Sequence, residues 1–323
     1  KQASAMGAKV RFLLQPVKTQ KDFAEDEVIG AIEESPNVVL SISTEKLGKD
    51  KARLASPLLA PNGRSYDHIF DYLLHGVKAM RAVWTPGITK DIFLRTVPVD
   101  YEVMRRSAAL LASFLDQAST VLVRSPSGTD IVFSILGRKA MLDDGDFRYP
   151  GKGGNLPAGE VFISPALKSA EGTIVFDGSI SDIERDIVIE EPIVCTVRGG
   201  YVIGIEGGNE AKRLDTALIQ GLSMASDLVS EQGMSPEMAL AYGTNARHLG
   251  EFGIGLNPAA HISGNMLEDE KIMGTIHFAI GSNYDEDAPA LIHLDGLVRF
   301  PTVVLLMPTG EEIAIMEQGV LAL

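Results

Sequence analysis

The chain has 323 residues, of which 45% are hydrophobic and 22% are charged, a composition typical of a globular protein with one or two domains. It carries 29 basic and 43 acidic residues, and the resulting formal charge of −14 disfavours binding to nucleic-acid phosphates. No apolar run approaches the roughly 20 residues that a helix needs to cross a bilayer, so we expect neither a nucleic-acid partner nor a membrane role.

The single Cys195 excludes an internal disulfide, and the sequence has no Asn-x-Ser/Thr glycosylation site. We therefore expect a cytoplasmic protein. Residues 1–16 lack the apolar region of a signal peptide and resemble the end of a helix that runs into a strand. This pattern predicts a further strand and helix upstream of residue 1.

Strands and helices alternate in the first part of the chain. Apolar runs predict strands at 8–15, 37–43, 119–125 and 130–136. Helical periodicity predicts helices at 21–35, 65–83 and 101–118. Such alternation is typical of parallel strands with crossover helices, and it predicts a Rossmann-like open α/β domain. No glycine-rich dinucleotide fingerprint or P-loop follows these strands, so we infer no nucleotide site.

A change of pattern separates a second domain from the first. Residues 142–160 are dense in Gly, Pro and Asp, and we place the boundary near residue 137, giving domains 1–137 and 138–323. The second domain is predicted to be α+β. Strands are expected at 172–180 and 190–197, with a hairpin turn at 198–200 that leads into a strand at 201–207.

Two helices are expected in this second domain. Apolar residues at helical spacing predict one helix over 209–233, with Gly233 as its C-cap. The other begins at Ser235 as the N-cap, with Pro236 in the first helical position.

A group of histidine and carboxylate side chains in residues 274–295 suggests a metal site. His293 and Asp295 are separated by one residue, so on a strand both side chains point to the same face. His277 lies in another strand-like run. Two imidazoles and a carboxylate form the facial triad of non-heme iron enzymes, and also half of a two-metal hydrolase site. Each histidine by itself also fits a buried structural role.

Several other polar residues extend this hypothesis. Glu160 and Glu251 follow glycine-rich segments at the ends of predicted elements, where they fit either a metal site or a surface cap. The acidic run 268–270 is expected to be partly solvated, although one of its side chains could reach a metal. Tyr284 could donate a hydrogen bond to a developing oxyanion or pack at a loop edge.

The remaining candidates point to structural roles. Cys195 lies in an apolar strand and is expected to be a small core residue. His68 and His75 lie in a predicted helix among apolar residues and are expected to be structural. His248 and His261 flank Glu251 and are candidates for supporting the metal ligands.

Five segments carry a resemblance to a known family. They are "GTDIVFSILGR", "NLPAGEVFISP", "LGEFGIGLNP", "DEKIMGTIHFAIGSN" and "IHLD". From about residue 85 onward, and more loosely before it, the chain resembles the thermophilic aminopeptidase T family of leucyl aminopeptidases. The resemblance implies a Rossmann-like N-terminal domain, a C-terminal domain with two divalent metal ions (zinc, cobalt or manganese), a homodimer, and a short peptide as substrate.

The same resemblance implies roles for individual residues. Tyr284 would support the tetrahedral intermediate. Glu160 or Glu251 would shuttle a proton to the leaving amine, instead of or alongside binding metal, and Glu160 is the catalytic residue we expect. Glu270 would be a further ligand, although more residues separate it from His277 than in the family. The implied metal ligands are Glu160, Glu251, Glu270, His277, His293 and Asp295.

A second resemblance implies a different reaction. The ring-opening dihydroxypyridine dioxygenases look like members of the same superfamily, and their single iron(II) would be bound by His277, His293 and Asp295. The compact "GTIHFAIGSN" segment favours this branch, whereas Glu160 and Glu251 favour the dinuclear hydrolase. From the sequence we expect a metallo-aminopeptidase, with the iron dioxygenase as the alternative. A relative that binds without metal is less favoured.

Overall fold

A computed structural model describes residues 1–18, 22–44, 47–232 and 235–323. The expected C-cap Gly233 lies outside these residues. The α-helices are α1 Gln2–Ala5, α2 Asp26–Glu33, α3 Lys51–Ala55, α4 Ile69–Asp71, α5 Lys90–Thr96, α6 Tyr101–Leu115, α7 Asn209–Gln232, α8 Pro236–Asn245 and α9 Met266–Asp269. None of these helices is both long and apolar enough to cross a membrane.

The strands are β1 Val38–Ser41, β2 Leu58–Leu59, β3 Ser65–Tyr66, β4 Arg81–Trp84, β5 Thr120–Arg124, β6 Asp130–Ser134, β7 Met141–Asp143, β8 Gly153–Asn155, β9 Glu160–Ile163, β10 Glu171–Phe176, β11 Ser179–Ser181, β12 Asp186–Val188, β13 Ile193–Arg198, β14 Tyr201–Glu206, β15 Leu249–Gly255, β16 Thr275–Gly281, β17 His293–Arg299, β18 Thr302–Leu306, β19 Glu312–Glu317 and β20 Val320–Leu321. The chain is therefore a mixed helix and sheet protein.

One compact unit comprises Lys1–Thr89 and Asp146–Leu156. It contains a three-stranded sheet in the order β1-β4-β8, in which both strand pairs are parallel. Helix α2 turns Val28 and Ile32 into a small core with Leu74 and Met80. His68 has a structural role here, as predicted, because its Nδ1 accepts from the Phe70 N–H and its Nε2 contacts the Gly48 carbonyl.

Two predictions within this unit are wrong. Residues 8–15 form no strand among the described residues, since an extended segment becomes a strand only where a neighbour pairs with its backbone. The helix expected at 65–83 is replaced by β3, α4, a π-helical turn at Tyr72–Gly76, and β4. Lys78 adopts a φ of 52°, which ends the helical run, and the following residues pair with β1 and β8 instead.

The other compact unit comprises Lys90–Gly145 and Pro157–Leu323 and contains two sheets. An eight-stranded sheet has the order β14-β13-β10-β6-β5-β18-β19-β20, and a seven-stranded sheet has the order β12-β11-β17-β16-β15-β9-β7. The predicted hairpin between β13 and β14 is present, and Gly199 and Gly200 adopt φ values of 56° and 80° in its turn.

The expectation that β5 and β6 are parallel is wrong. They pair antiparallel, with Val121 opposite Phe133, because the short turn between them cannot make the crossover that parallel strands need. Among the strands of the described residues, parallel pairing joins only β1 to β4 and β4 to β8. The expected Rossmann-like arrangement is therefore not confirmed, and the domain boundary near residue 137 stays a prediction.

The two sheets of the second unit pack face to face around an aromatic cluster. Phe133 of the eight-stranded sheet lies with its ring centroid 5.3 Å from that of Phe252 and 5.9 Å from that of Phe278, both in the seven-stranded sheet. Cys195 is fully buried in the same core, as predicted, and burial raises the pKa of its thiol to about 12. One face of the seven-stranded sheet is thereby committed to the core, and polar side chains are left to the other face.

Replacing Phe133 by Ala should test how much this cluster stabilises the unit. Because Phe133 is fully buried between the sheets, we expect Phe133→Ala to lower the free energy of unfolding by about 3–5 kcal/mol in urea titrations. Phe93, which is 47% exposed on α5, serves as a control. A loss equal to that of Phe93→Ala would contradict the packing described above.

Candidate metal centre

The polar face of the seven-stranded sheet collects the predicted site residues. Strands β9, β15, β16 and β17 are neighbours, with Gly255 opposite Glu160, Gly253 opposite His277, and Ala279 opposite Asp295. Side chains alternate along each strand, so the core residues occupy the positions in between. The side chains that share the polar face are Glu160, Glu251, His277, His293 and Asp295.

Glu251 lies at the centre of this arrangement. Its Oε1 is 3.1 Å from His277 Nε2 and its Oε2 is 3.3 Å from His293 Nε2. Glu160 Oε2 lies 3.4 Å from His277 Nε2, and Asp295 Oδ1 lies 3.5 Å from His293 Nε2. Two overlapping groups could each hold a metal ion, namely Glu160, Glu251 and His277, and Glu251, His293 and Asp295.

The surrounding backbone orients the two imidazoles. His293 Nδ1–H donates to the Ser282 carbonyl at 2.8 Å, which directs Nε2 towards the cluster, as is usual for metal-binding histidines. His277 lies over Gly253, where an added Cβ would stand 2.0 Å from His277 Nε2. The absence of a side chain at Gly253 is therefore a requirement of the site.

The residues present fit a metal ion. Glu160 Oε2, Glu251 Oε2 and Asp295 Oδ1 are buried carboxylate oxygens without a hydrogen-bond partner. Buried charged oxygens are costly unless a cation or a donor satisfies them. Oxygen and imidazole nitrogen together suit iron, zinc, cobalt or manganese.

A buried lysine that the sequence analysis missed lies beside the cluster. Lys271 Nζ is 2.5 Å from Glu160 Oε1, 2.6 Å from Glu270 Oε1 and 3.3 Å from Asp143 Oδ2, and its side chain is fully buried. The one sequence feature that could have indicated it is its place between an acidic run and the apolar strand of His277. Glu270 therefore lies next to the cluster but contacts the ammonium group.

The expectation that the acidic run 268–270 is partly solvated is wrong for two of its members. Glu268 and Asp269 are fully buried. Glu268 pairs with Arg95, and Asp269 accepts hydrogen bonds from the backbone N–H groups of Ser263 and Gly264. Both carboxylates are satisfied by these partners. A run of like charges in the sequence therefore did not indicate solvent exposure here, because the partners lie elsewhere in the chain.

Tyr284 lies at the rim of the cluster. Its ring centroid is 5.3 Å from that of His293 and 5.1 Å from that of Phe162, and the residue is 54% exposed. Its position next to His293 is compatible with contact to a bound substrate.

His248 and His261 belong to neither candidate metal group in the part of the chain that the structure describes. The ring of His248 packs edge-on against Tyr201, with ring centroids 5.5 Å apart. His261 Nδ1 lies 3.7 Å from Glu268 Oε1, and its side chain is 59% exposed. Neither residue therefore contacts the cluster directly.

Burial and mutual contact set the protonation of the cluster when no metal is bound. Burial raises the pKa of Glu251, but the contacts with His277 and His293 outweigh it and hold this pKa at about 2. Burial lowers the pKa of His277, whereas Glu251 and Glu160 raise it to about 9. Burial raises the pKa of Glu160 to about 8 against the opposing effect of Lys271. Burial also lowers the pKa of Lys271, but Glu160 and the other carboxylates raise it well above its usual range. A metal must therefore displace a proton from His277 at neutral pH.

Comparison with known proteins connects this site to one family. The family profile described as 2,5-dihydroxypyridine 5,6-dioxygenase matches residues 88–305. A 2,5-dihydroxypyridine 5,6-dioxygenase of Pseudomonas putida is 30% identical over 139 residues. This alignment covers 43% of the chain and spans 38% of the length of that relative.

Two solved structures share the fold. The structure of a 2,5-dihydroxypyridine dioxygenase from Pseudomonas putida aligns with a TM-score of 0.64 and 19% identity, covering 95% of this chain and 80% of the other. Wild-type AmpT from Thermus thermophilus aligns with a TM-score of 0.61 and 17% identity, covering 92% of this chain and 79% of the other. At these identities the similarity concerns the fold alone.

A substitution at Gly253 should test the packing of His277. Gly253→Ala would place a Cβ against the imidazole, so we expect loss of tight metal binding, measured by elemental analysis after dialysis. Gly204 is the matched control, since it also lies in a strand and an added Cβ would come no closer than 3.8 Å to Thr196. Equal metal content in both variants would contradict the arrangement.

The protonation states predict how pH affects the metal-free protein. His277 stabilises the fold below its ordinary pKa of 6.5, and this contribution is lost as pH rises through about 9. Glu160, whose pKa is about 8 in the fold against 4.5 ordinarily, keeps its proton in the fold after the unfolded chain has lost it, so its contribution to stability is lost as pH rises from about 4.5 to about 8. We expect a lower melting temperature at pH 9 than at pH 6 after chelation, and a smaller difference in Glu160→Gln. An unchanged or higher melting temperature at pH 9 would be inconsistent with these contacts.

Proposed function

Because the chain belongs to the 2,5-dihydroxypyridine 5,6-dioxygenase family, we propose that it is a metal-dependent dioxygenase that opens a dihydroxypyridine ring. The observation that carries the proposal is that His277, His293 and Asp295 share one face of two adjacent strands inside the matched residues, where Glu251 joins the two candidate metal groups to which they belong. Two histidines and one carboxylate are the ligand set of non-heme iron oxygenases.

The proposed ligands are provided by two adjacent strands. His277 lies on β16, and His293 and Asp295 lie on β17. Iron(II) held by these residues would supply the chemistry by which O₂ and the substrate react. The hydrogen bond from His293 to the Ser282 carbonyl holds one ligand in the required orientation.

The ring cleavage in the family's description balances in atoms and electrons without a further reductant. Cleavage of the C5–C6 bond of 2,5-dihydroxypyridine breaks the O–O bond and puts one oxygen atom on each carbon. The carbon that carried the hydroxyl becomes a carboxyl carbon, and C6 becomes a formyl group on the ring nitrogen. The substrate supplies all the electrons that O₂ accepts, so the enzyme needs no additional electron donor.

Two further residues have proposed roles near the substrate. Glu160 Oε2 lies 3.4 Å from His277 Nε2, close enough to the ligands to exchange a proton with a substrate hydroxyl. Tyr284, whose ring packs against that of His293 at the rim, is proposed to donate a hydrogen bond to the substrate. The homodimer implied by the aminopeptidase resemblance stays a prediction.

A two-metal aminopeptidase is the second candidate function. Its specific support is Glu251, which belongs to both metal-binding groups and could bridge two ions, together with the fold shared with AmpT. The residue pattern of the sequence by itself favours this activity. The family profile and the aligned relative reverse the preference, since both carry the dioxygenase description.

Metal content and oxygen consumption should decide between the two functions. After anaerobic purification with iron(II), we expect one iron per chain and consumption of one O₂ for each 2,5-dihydroxypyridine lost. An oxygen electrode measures the O₂ consumed, and the decrease in aromatic absorbance measures the substrate lost. His293→Ala should weaken iron binding by more than about tenfold. His261→Ala is the matched control, because this side chain is 59% exposed and lies outside both groups.

The opposite result is equally defined. In that case the protein hydrolyses aminoacyl p-nitroanilides when it holds two zinc, cobalt or manganese ions, while its iron form cleaves no ring. That result would overturn the dioxygenase proposal and support the aminopeptidase.

A further inference from the structure

Lys271 places a fixed positive charge beside one of the two candidate metal groups. Its ammonium contacts Glu160 at 2.5 Å and Glu270 at 2.6 Å, and its side chain has no exposure to solvent. These two carboxylates are among the six metal ligands that the aminopeptidase resemblance implies. The structure therefore commits both of them to a cation that belongs to the chain.

The position of Lys271 is held by its backbone. Its carbonyl accepts from the Asn257 N–H at 2.8 Å, and its own N–H donates to the Glu268 carbonyl at 3.0 Å. The side-chain amide of Asn257 in turn donates from Nδ2 to the Thr96 and Ala158 carbonyls, both at 2.9 Å. These hydrogen bonds fix the backbone from which the buried Lys271 side chain reaches its carboxylate partners.

A second divalent ion would have to share Glu160 with this ammonium. The group formed by Glu160, Glu251 and His277 needs Glu160 as a ligand, and two cations on one carboxylate repel each other strongly in a buried site. Among the described residues, no lysine or arginine forms an ion pair with the carboxylates of the group formed by Glu251, His293 and Asp295, whose contacts are with His277 and His293. The two groups are therefore electrostatically unequal.

We propose that Lys271 takes the place of a second metal ion and restricts the centre to one. In this arrangement Lys271 is a positioning residue, because it acts through Glu160 and Glu270 and does not touch the metal. The inference rests on the single-metal centre of the proposed function. It also accounts for carboxylates of the two-metal pattern in a member of a dioxygenase family.

The number of zinc ions bound per chain tests this inference without any measurement of activity. We expect the metal-free protein to take up one Zn²⁺ per chain in equilibrium dialysis and Lys271→Met to take up two, because removal of the ammonium releases Glu160. The double variant Lys271→Met, Glu160→Gln should return to one. Lys139→Met is the matched control, since Lys139 is 75% exposed and pairs with Asp116, and it should bind one ion.

Two outcomes would overturn the inference. One is the binding of two zinc ions by the unmodified protein, and the other is the binding of a single ion by a folded Lys271→Met variant.

If Lys271→Met does not fold, Glu160→Gln decides the question. It should keep one zinc with affinity within about threefold of the unmodified protein, whereas a loss of more than about tenfold would make Glu160 a ligand and overturn the inference.

Failure of the proposed function gives a different result. One metal ion per chain without ring cleavage would refute the dioxygenase and leave the role of Lys271 intact. Ring cleavage by protein that holds two metal ions per chain would support the dioxygenase and refute the role of Lys271.

Discussion

The concentration of acidic side chains on one buried sheet face is the constraint on which the rest of this structure depends. Carboxylates removed from water must be paired, protonated or bound to a cation. The fold provides an ammonium group from Lys271 and two imidazoles from His277 and His293. The carboxylates concerned are Asp143, Glu160, Glu251, Glu270 and Asp295. Buried oxygens of Glu160, Glu251 and Asp295 have no hydrogen-bond partner, and a metal ion bound there would satisfy them.

The face-to-face packing of the two sheets provides the apolar burial that offsets the cost of this concentration of charge. One face of the seven-stranded sheet packs Phe252 and Phe278 against Phe133 of the other sheet, and the strand alternation then puts every second residue on the polar face. A slip of one residue in the pairing of β16 with β17 would turn His293 and Asp295 into the apolar core. The cost of such a slip protects the geometry of the site.

The same framework accommodates two kinds of chemistry, and the difference between them depends on how the cations are distributed. Glu251 contacts both histidines and could bridge two metals, as an aminopeptidase would require. Lys271 already contacts Glu160 and Glu270, which leaves the group formed by Glu251, His293 and Asp295 for one metal ion, with His277 beside it on Glu251. Family membership favours the dioxygenase, and the contacts of Lys271 are consistent with a single metal ion in such an enzyme.

Local pattern and residue type in the sequence determined the parts of this protein that depend on short-range order. The spacing of His293 and Asp295 placed both on one strand face, and the periodicity of residues 101–118 predicted α6, because these features repeat every two or three to four residues. Long-range pairing was decided only by the tertiary structure. It made β5 and β6 antiparallel, buried Glu268 against Arg95, and brought Lys271 to Glu160, which lies 111 positions away in the chain. Such contacts depend on strand order and register, which involve residues far apart in sequence and leave no periodic pattern in either segment.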